Sequence, residues 1–195
     1  MNRLQYFVAQ IGHREKKDVS VAMLLEHGDL PGNDWELLDQ RSWRTGAMPI
    51  PIDEAARAHH AGSWTAWRSF QQSGQTRWAW IEIMPFTSNT DALSAVSSIP
   101  TWLMSNAGAK VAIVEERNPD ESETGATHLW VLEQRTIGSD GPSATRYVAD
   151  VVDNVLFIVA GTASGDGWDW SAVSALAERQ AAKIRSALDD PVSRP

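Results

Sequence analysis

Hydrophobic and polar positions along this chain mostly alternate in short runs, the period of a strand, and change to helical spacing in a few segments. "RLQYFVAQI" reads as a first strand, and "DVSVAMLLEH" as a short helix with Asp18 or Ser20 as its cap. "GDLPGNDW" is a turn cluster, and "WELLDQRSWRTG" is a strand ended by Gly46. "PIPIDEAARAHHAG" opens on prolines and becomes a helix over 53–61, with Asp53 and Arg57 paired at i,i+4. "SWTAWRSFQQSGQTRWAWIEIM" holds two strand-like runs around Ser73-Gly74, a hairpin signal.

"SNTDALSAVSSIPTWLMSNAG" predicts a helix capped by Ser88 and Asp91. Leu93, Val96, Pro100 and Leu103 lie near its apolar face, and Pro100 kinks it. "AKVAIVEER", "THLWVLEQRTI", "ATRYVADVV" and "VLFIVAG" read as four strands. They are joined by "NPDESETGA", by "GSDGPS" and by Asp153-Asn154, links short enough to imply antiparallel neighbours. "TASGDGWDW" leads into a last helix over 170–188, where Val173, Leu176, Ala177, Ile184 and Leu188 form the apolar stripe. The order of elements predicts an α+β fold: one domain over 1–188, an antiparallel sheet of roughly six to seven strands with helices packed against it, and a C-terminal tail over 189–195.

The hairpin carries four of the chain's ten tryptophans. A two-residue turn at Ser73-Gly74 sets Trp67 opposite Trp80 and Ser69 opposite Trp78. Alternation then gives one face to Trp64, Ala66, Phe70, Ala79, Ile81 and Ile83, with Arg68 and Arg77 near the turn. The other face mixes Trp67, Trp78, Trp80 and Met84 with Thr65, Ser69 and Glu82. The first is a core face. The second has the makings of a shelf for an apolar or planar ligand, because tryptophan combines a large apolar ring with one N–H donor. The competing reading is a cover over those rings, supplied by the last helix, the proline-broken helix or "GDGWDW".

Composition narrows the function classes. Apolar residues make up 43% and charged residues 22%, as in a globular protein. The net charge of −8 argues against nucleic acid, and the densest basic cluster, "HREKK" at 13–17, is broken by an acid. No run reaches the roughly 18 apolar residues of a membrane span. There is no cysteine, hence no disulfide and no thiol nucleophile. That composition suits a reducing compartment, and the N-terminus does not read as a signal peptide, so the expectation is a cytoplasmic protein unless the sequence is a fragment lacking its leader.

Catalytic signatures are missing. His59 and His60 point about 100° apart on a helix and cannot share a metal, and His13, His27 and His128 form no ligand cluster. There is no nucleophile elbow, no phosphate loop and no dinucleotide fingerprint. "GTASGDGWD" follows a strand and precedes a helix, but Asp166 and Asp169 repel phosphate, and Asp169 or Ser171 as a helix cap explains it more simply. Asp120, Glu121 and Glu123 lack calcium-loop spacing. No cofactor and no metal are expected.

Two segments carry a family resemblance. "AMLLEHGDLPGNDWELLDQRSWRTG" resembles the start, and "RYVADVVDNVLFIVAGTASGDGWDWSAVSALAERQAAKIRSAL" the end, of actinobacterial sensor-type domains found outside some mycobacterial Ser/Thr kinases and in related lipoproteins. The resemblance covers about a third of the chain and implies an α-β-α sandwich similar to the PsbP-like proteins, with a tendency to bind and no catalytic residues. The kinase domains are disulfide-linked and this chain is not.

The expected function is a non-catalytic binding or interaction module for an apolar small molecule or a protein surface. Its contacts would come from Trp67, Trp78, Trp80 and Met84, with Trp130 joining if its strand lies beside the hairpin. A homodimer interface on the same face is the close variant. The alternatives are a small-molecule enzyme with a pocket between sheet and helices, using His128, Glu82 and Glu133, and a secretion-linked assembly factor.

Overall fold

A computed structural model describes residues 20–44, 64–74, 76–96, 99, 111–117, 130–138, 141–165 and 168–189, with the backbone alone for 43–44, 111–117 and 130–138. The strands are β1 (Trp35–Arg44), β2 (Trp64–Gln72), β3 (Arg77–Pro85), β4 (Val111–Arg117), β5 (Trp130–Gly138), β6 (Gly141–Val152) and β7 (Val155–Ser164). The α-helices are α1 (Asn89–Val96) and α2 (Trp170–Asp189), with a 3-10 helix at His27–Asp29, and the described part of the helix expected over 18–27 is α-helical only at 20–22. These strands join one antiparallel sheet in the order β1-β2-β3-β7-β6-β5-β4. The α+β reading stands: an antiparallel sheet with helices packed against it. The expected strand at 3–11, the expected helix at 53–61 and the expected tail lie outside the described residues.

Local chemistry explains the joints. Gly32, at φ +89, and Asp34, at φ +65, turn the chain into β1. Asp153, at φ +52, makes the tight link between paired Val152 and Val155, a position that aspartate tolerates better than most residues. The Ser88 cap is as the sequence predicts: the Asp91 N–H donates to Ser88 Oγ at 3.2 Å, and the Ser88 hydroxyl donates to Asp91 Oδ2 at 2.7 Å. Ser88→Ala is therefore expected to cost about 1 kcal/mol in urea unfolding, with the m-value unchanged.

The hairpin register differs from the expectation by two residues. Trp67 pairs with Glu82, Ser69 with Trp80 and Gln71 with Trp78. The connection is longer than the two-residue turn, running from Ser73 to Thr76 with Gly74 at φ +67. A slip of two preserves the side each residue faces, so both predicted faces survive.

The sheet is covered on both sides. The first face joins Phe70, Ile81, Ile83, Phe157 and Val159 to Val173, Leu176, Ala177 and Ile184 of α2, all fully buried, and to Met23, Leu24, Leu25 and Leu30. Each large aliphatic side chain of that α2 stripe contributes about 1.5–3 kcal/mol by leaving water. The segment 23–30 is held by side chains that satisfy its backbone. Gln180 Nε2 donates to the Met23 carbonyl at 2.7 Å, and the Leu25 N–H donates to Gln180 Oε1 at 3.1 Å. The Arg68 guanidinium donates to the carbonyls of Leu24 and Leu25. The second face packs Met84, Tyr147, Ala149, Leu156, Ile158 and Ala160 beneath Phe86, Ala92, Ala95, Val96 and Ile99.

Three expectations about packing need correcting. The buried stripe of α1 is Ala92, Ala95 and Val96, while Leu93 is 45% exposed, because the helix turns its small residues to the sheet. The last helix and Trp168 of "GDGWDW" cover the aliphatic face and not the aromatic one, because the α2 stripe complements the large aliphatic residues there. Gly161 does not end its strand: β7 continues to Ser164, and Gly161 is the seat of the Trp168 ring. The Pro100 kink lies outside the described residues.

Candidate functional site

Period-two alternation sends Trp78, Trp80, Glu82 and Met84 of β3 to the second face, beside Thr65, Trp67 and Ser69 of β2. Antiparallel pairing lines these up in rows. Arg41, Trp67, Glu82, Ile158 and Ala149 form one row, and the Trp130 backbone continues it. Ser69, Trp80, Ala160 and Tyr147 form the next, and Gln71, Trp78, Thr162 and Thr145 the third. Thr145 and Thr162 share a hydroxyl hydrogen bond of 2.8 Å.

Met84 is 1% exposed and belongs to the core under α1, so it is a floor and not an outer contact. Trp80 is half-buried, packs against that core and meets the Tyr147 ring edge-on at 5.8 Å. Trp67 and Trp78 are half-buried. The Arg41 guanidinium lies 5.9 Å from the Trp67 ring centroid while pairing with Asp39 at 2.6 Å. Trp130 opens β5, which β7 and β6 separate from the hairpin, so the condition for its joining the group is not met.

Among the described residues α1 packs mainly against β6 and β7 and reaches the hairpin at Met84. The rings are therefore neither wholly core nor an open shelf.

Glu82 is the unusual member. It is 3% exposed, and among the described residues no hydrogen bond or ion pair reaches its carboxyl. Burial pushes its pKa up to about 8. Burial also raises the Tyr147 phenol to about 12, against a hydrogen bond with Thr145 that acts the other way. Alternation places Glu82 on the aromatic face but says nothing of its isolation, which depends on Trp67 and Ile158 as pairing neighbours.

Of the residues named for an enzyme, His128 lies outside the described residues and Glu133 is described as backbone alone. Among the described residues no group of three His, Cys, Asp or Glu side chains could hold a metal ion. A shallow cleft of about 360 Å³ lies at the β6–β7 turn, lined by Val151, Val152, Asp153, Arg185 and Asp189.

No family model matches this chain, and neither does any curated protein. Its fold is similar to the solved extracellular domain of PknH from Mycobacterium tuberculosis, with a TM-score of 0.60 over 87% of this chain and 96% of that one, at 11% identity. The match agrees with the resemblance to actinobacterial sensor-type domains. At that identity it speaks for the fold alone. It runs against the expectation of a cytoplasmic protein, since the matching domain is an extracellular one. The absence of cysteine was a weak ground, since a chain without thiols is indifferent to the redox state around it. No helix among the described residues is long and apolar enough to cross a membrane.

Proposed function

We propose that this domain is a non-catalytic binding module whose contact surface is the hairpin end of the aromatic face. Trp67, Trp78 and Trp80 supply the contact and Met84 the floor beneath. The observation that carries this reading is three half-buried tryptophans on neighbouring rows of one sheet face, beside the helix that covers the rest of it. Such rings offer large apolar area at low entropic cost and an N–H each for orientation, the properties of binding hot spots. The occupant is an apolar small molecule or an apolar protein surface. The solved extracellular domain of like fold is consistent with a binding role.

The neutral dye N-phenyl-1-naphthylamine tests the reading. Wild type is expected to bind it with enhanced emission. A Trp67→Ala/Trp78→Ala variant that keeps its far-UV circular dichroism is expected to bind about tenfold or more weakly, given the roughly 2 kcal/mol typical of a truncated hot spot. Equal binding by a folded variant overturns the proposal. Mass by sedimentation against concentration tells a homodimer from a small-molecule site. A dimer lost in the same variant assigns the face to a second copy.

A further inference from the structure

We infer that the ligand of this face is an organic cation with an apolar body, an alkyl- or arylammonium, whose nitrogen meets the Glu82 carboxylate while Trp67 and Trp80 close on its hydrocarbon. This assignment rests on the aromatic face being a binding site and adds the ligand's charge.

An ionised carboxylate removed from water without a partner is among the least favourable groups a fold can bury. Glu82 is 3% exposed, and its side-chain neighbours on the sheet are Trp67 on β2, Ile158 on β7, and Trp80 and Met84 along β3. None carries charge. The nearest charges on that face among the described residues are Asp39 and Arg41 on β1, two strands away and paired with each other. The Asp91 carboxylate on α1 is engaged by Ser88 and Thr87. Ile158, in the same row, shows that an aliphatic side chain suits this part of the face. A glutamate kept there serves something other than packing.

Two conditions relieve a buried carboxyl: it keeps a proton, or it meets a cation. In the free protein the raised pKa supplies the first. The surroundings favour an organic cation for the second. Tryptophan faces attract positive charge through their quadrupole, and the Trp67 ring already has a guanidinium 5.9 Å from its centroid. A hard metal ion requires about six or more oxygen ligands, which rings cannot give. An anion is repelled by the carboxylate, and the net charge of −8 draws cations to the surface generally. Entry requires the half-buried Trp67 and Trp80 rings to swing aside, a side-chain motion that leaves the strand pairing intact.

Decyltrimethylammonium, decanol and decanoate, each below its aggregation limit, form a matched cationic, neutral and anionic set. Titration calorimetry at pH 7 is expected to show the cation binding wild type about tenfold or more tightly than decanol, with decanoate weakest. Binding should release up to about one proton per cation, read from buffers of different ionisation heat, because the carboxyl gives up its proton to pair. Glu82→Gln is expected to abolish both the preference and the proton release while still binding decanol. Equal binding of cation and alcohol by wild type overturns the charge assignment, as does a preference that survives Glu82→Gln. Decanol binding that the Trp67→Ala/Trp78→Ala variant loses keeps the aromatic site standing in either case. Binding of none of the three overturns this assignment, while the dye and sedimentation tests decide the aromatic site separately.

Discussion

Trp168→Ala is expected to lower the stability of the fold by about 3–5 kcal/mol, a large share of the roughly 5–15 kcal/mol that keeps a domain folded. The ring is wholly buried. Trp35 meets it at 5.4 Å, the Arg77 guanidinium lies 4.8 Å from it, and its Nε1–H donates to the Thr162 carbonyl at 3.2 Å. Truncation opens a cavity between β7 and the start of α2 and leaves that carbonyl without its donor. Gly161 gives the effect its signature. A Cβ on Gly161 would stand 2.7 Å from Trp168 Cδ2 and 3.0 Å from two further ring atoms, closer than a packed ring allows. Gly161→Ala alone is therefore expected to cost about 1–3 kcal/mol through overpacking. In the Trp168→Ala background the same methyl enters the vacated space, so its cost should vanish or reverse. Urea unfolding of the four proteins in the double-mutant cycle measures this. Additive costs would show that Gly161 is not the seat of the ring.

The second large effect is a stability that falls with rising pH. Glu82 holds its proton in the folded chain up to about pH 8, against roughly 4.3 for an unfolded glutamate. Between those values the folded state binds a proton that the unfolded state lacks, so rising pH favours unfolding. The Glu82 contribution is complete below about pH 4.3, shrinks through the window and is gone above about pH 8. At about 1.4 kcal/mol per pKa unit, the window amounts to several kcal/mol. Asp29 acts in the opposite sense. Burial tends to raise its pKa, but the Glu26 N–H and Lys183 outweigh this and hold it low, so its stabilisation is lost as pH falls through its folded value. Thermal melting from about pH 5 to 9 should show wild type declining and Glu82→Gln flat by comparison, with the two nearest at the acid end. Parallel curves would show that the Glu82 carboxyl is already ionised at the acid end of that range.

The aromatic face was legible in the sequence to the extent that it depends on alternation. Trp67, Trp78, Trp80, Met84 and Glu82 fall on one side of the hairpin in any register that differs by an even number of residues. Their register was not legible, because Ser73-Gly74 alone does not reveal that the connection runs on to Thr76. Which rings stay half-buried was not legible either. Among the described residues, that depends on α1 lying mainly over β6 and β7 and meeting the hairpin at Met84. Leu93 and Ala92 show the limit within one helix: composition favours burying the leucine, and the fit against Leu156 and Ile158 buries the alanine.

By itself the sequence determined the local facts: strands at 35–44, 64–72, 77–85 and in the later meander, the Ser88 cap, the α2 stripe and the two faces of the hairpin. These follow from side-chain period, turn residues and capping groups, all set by residues within a few positions of one another. Only the tertiary structure decided that β7 pairs with β3 across a long stretch of chain, that Trp168 rests on Gly161, and that the Glu82 carboxyl meets no partner among the described residues. Each of these is a question of which distant surfaces meet and exclude water. A linear pattern marks which side of an element is apolar, and the fit of whole elements against one another selects the surface that covers it.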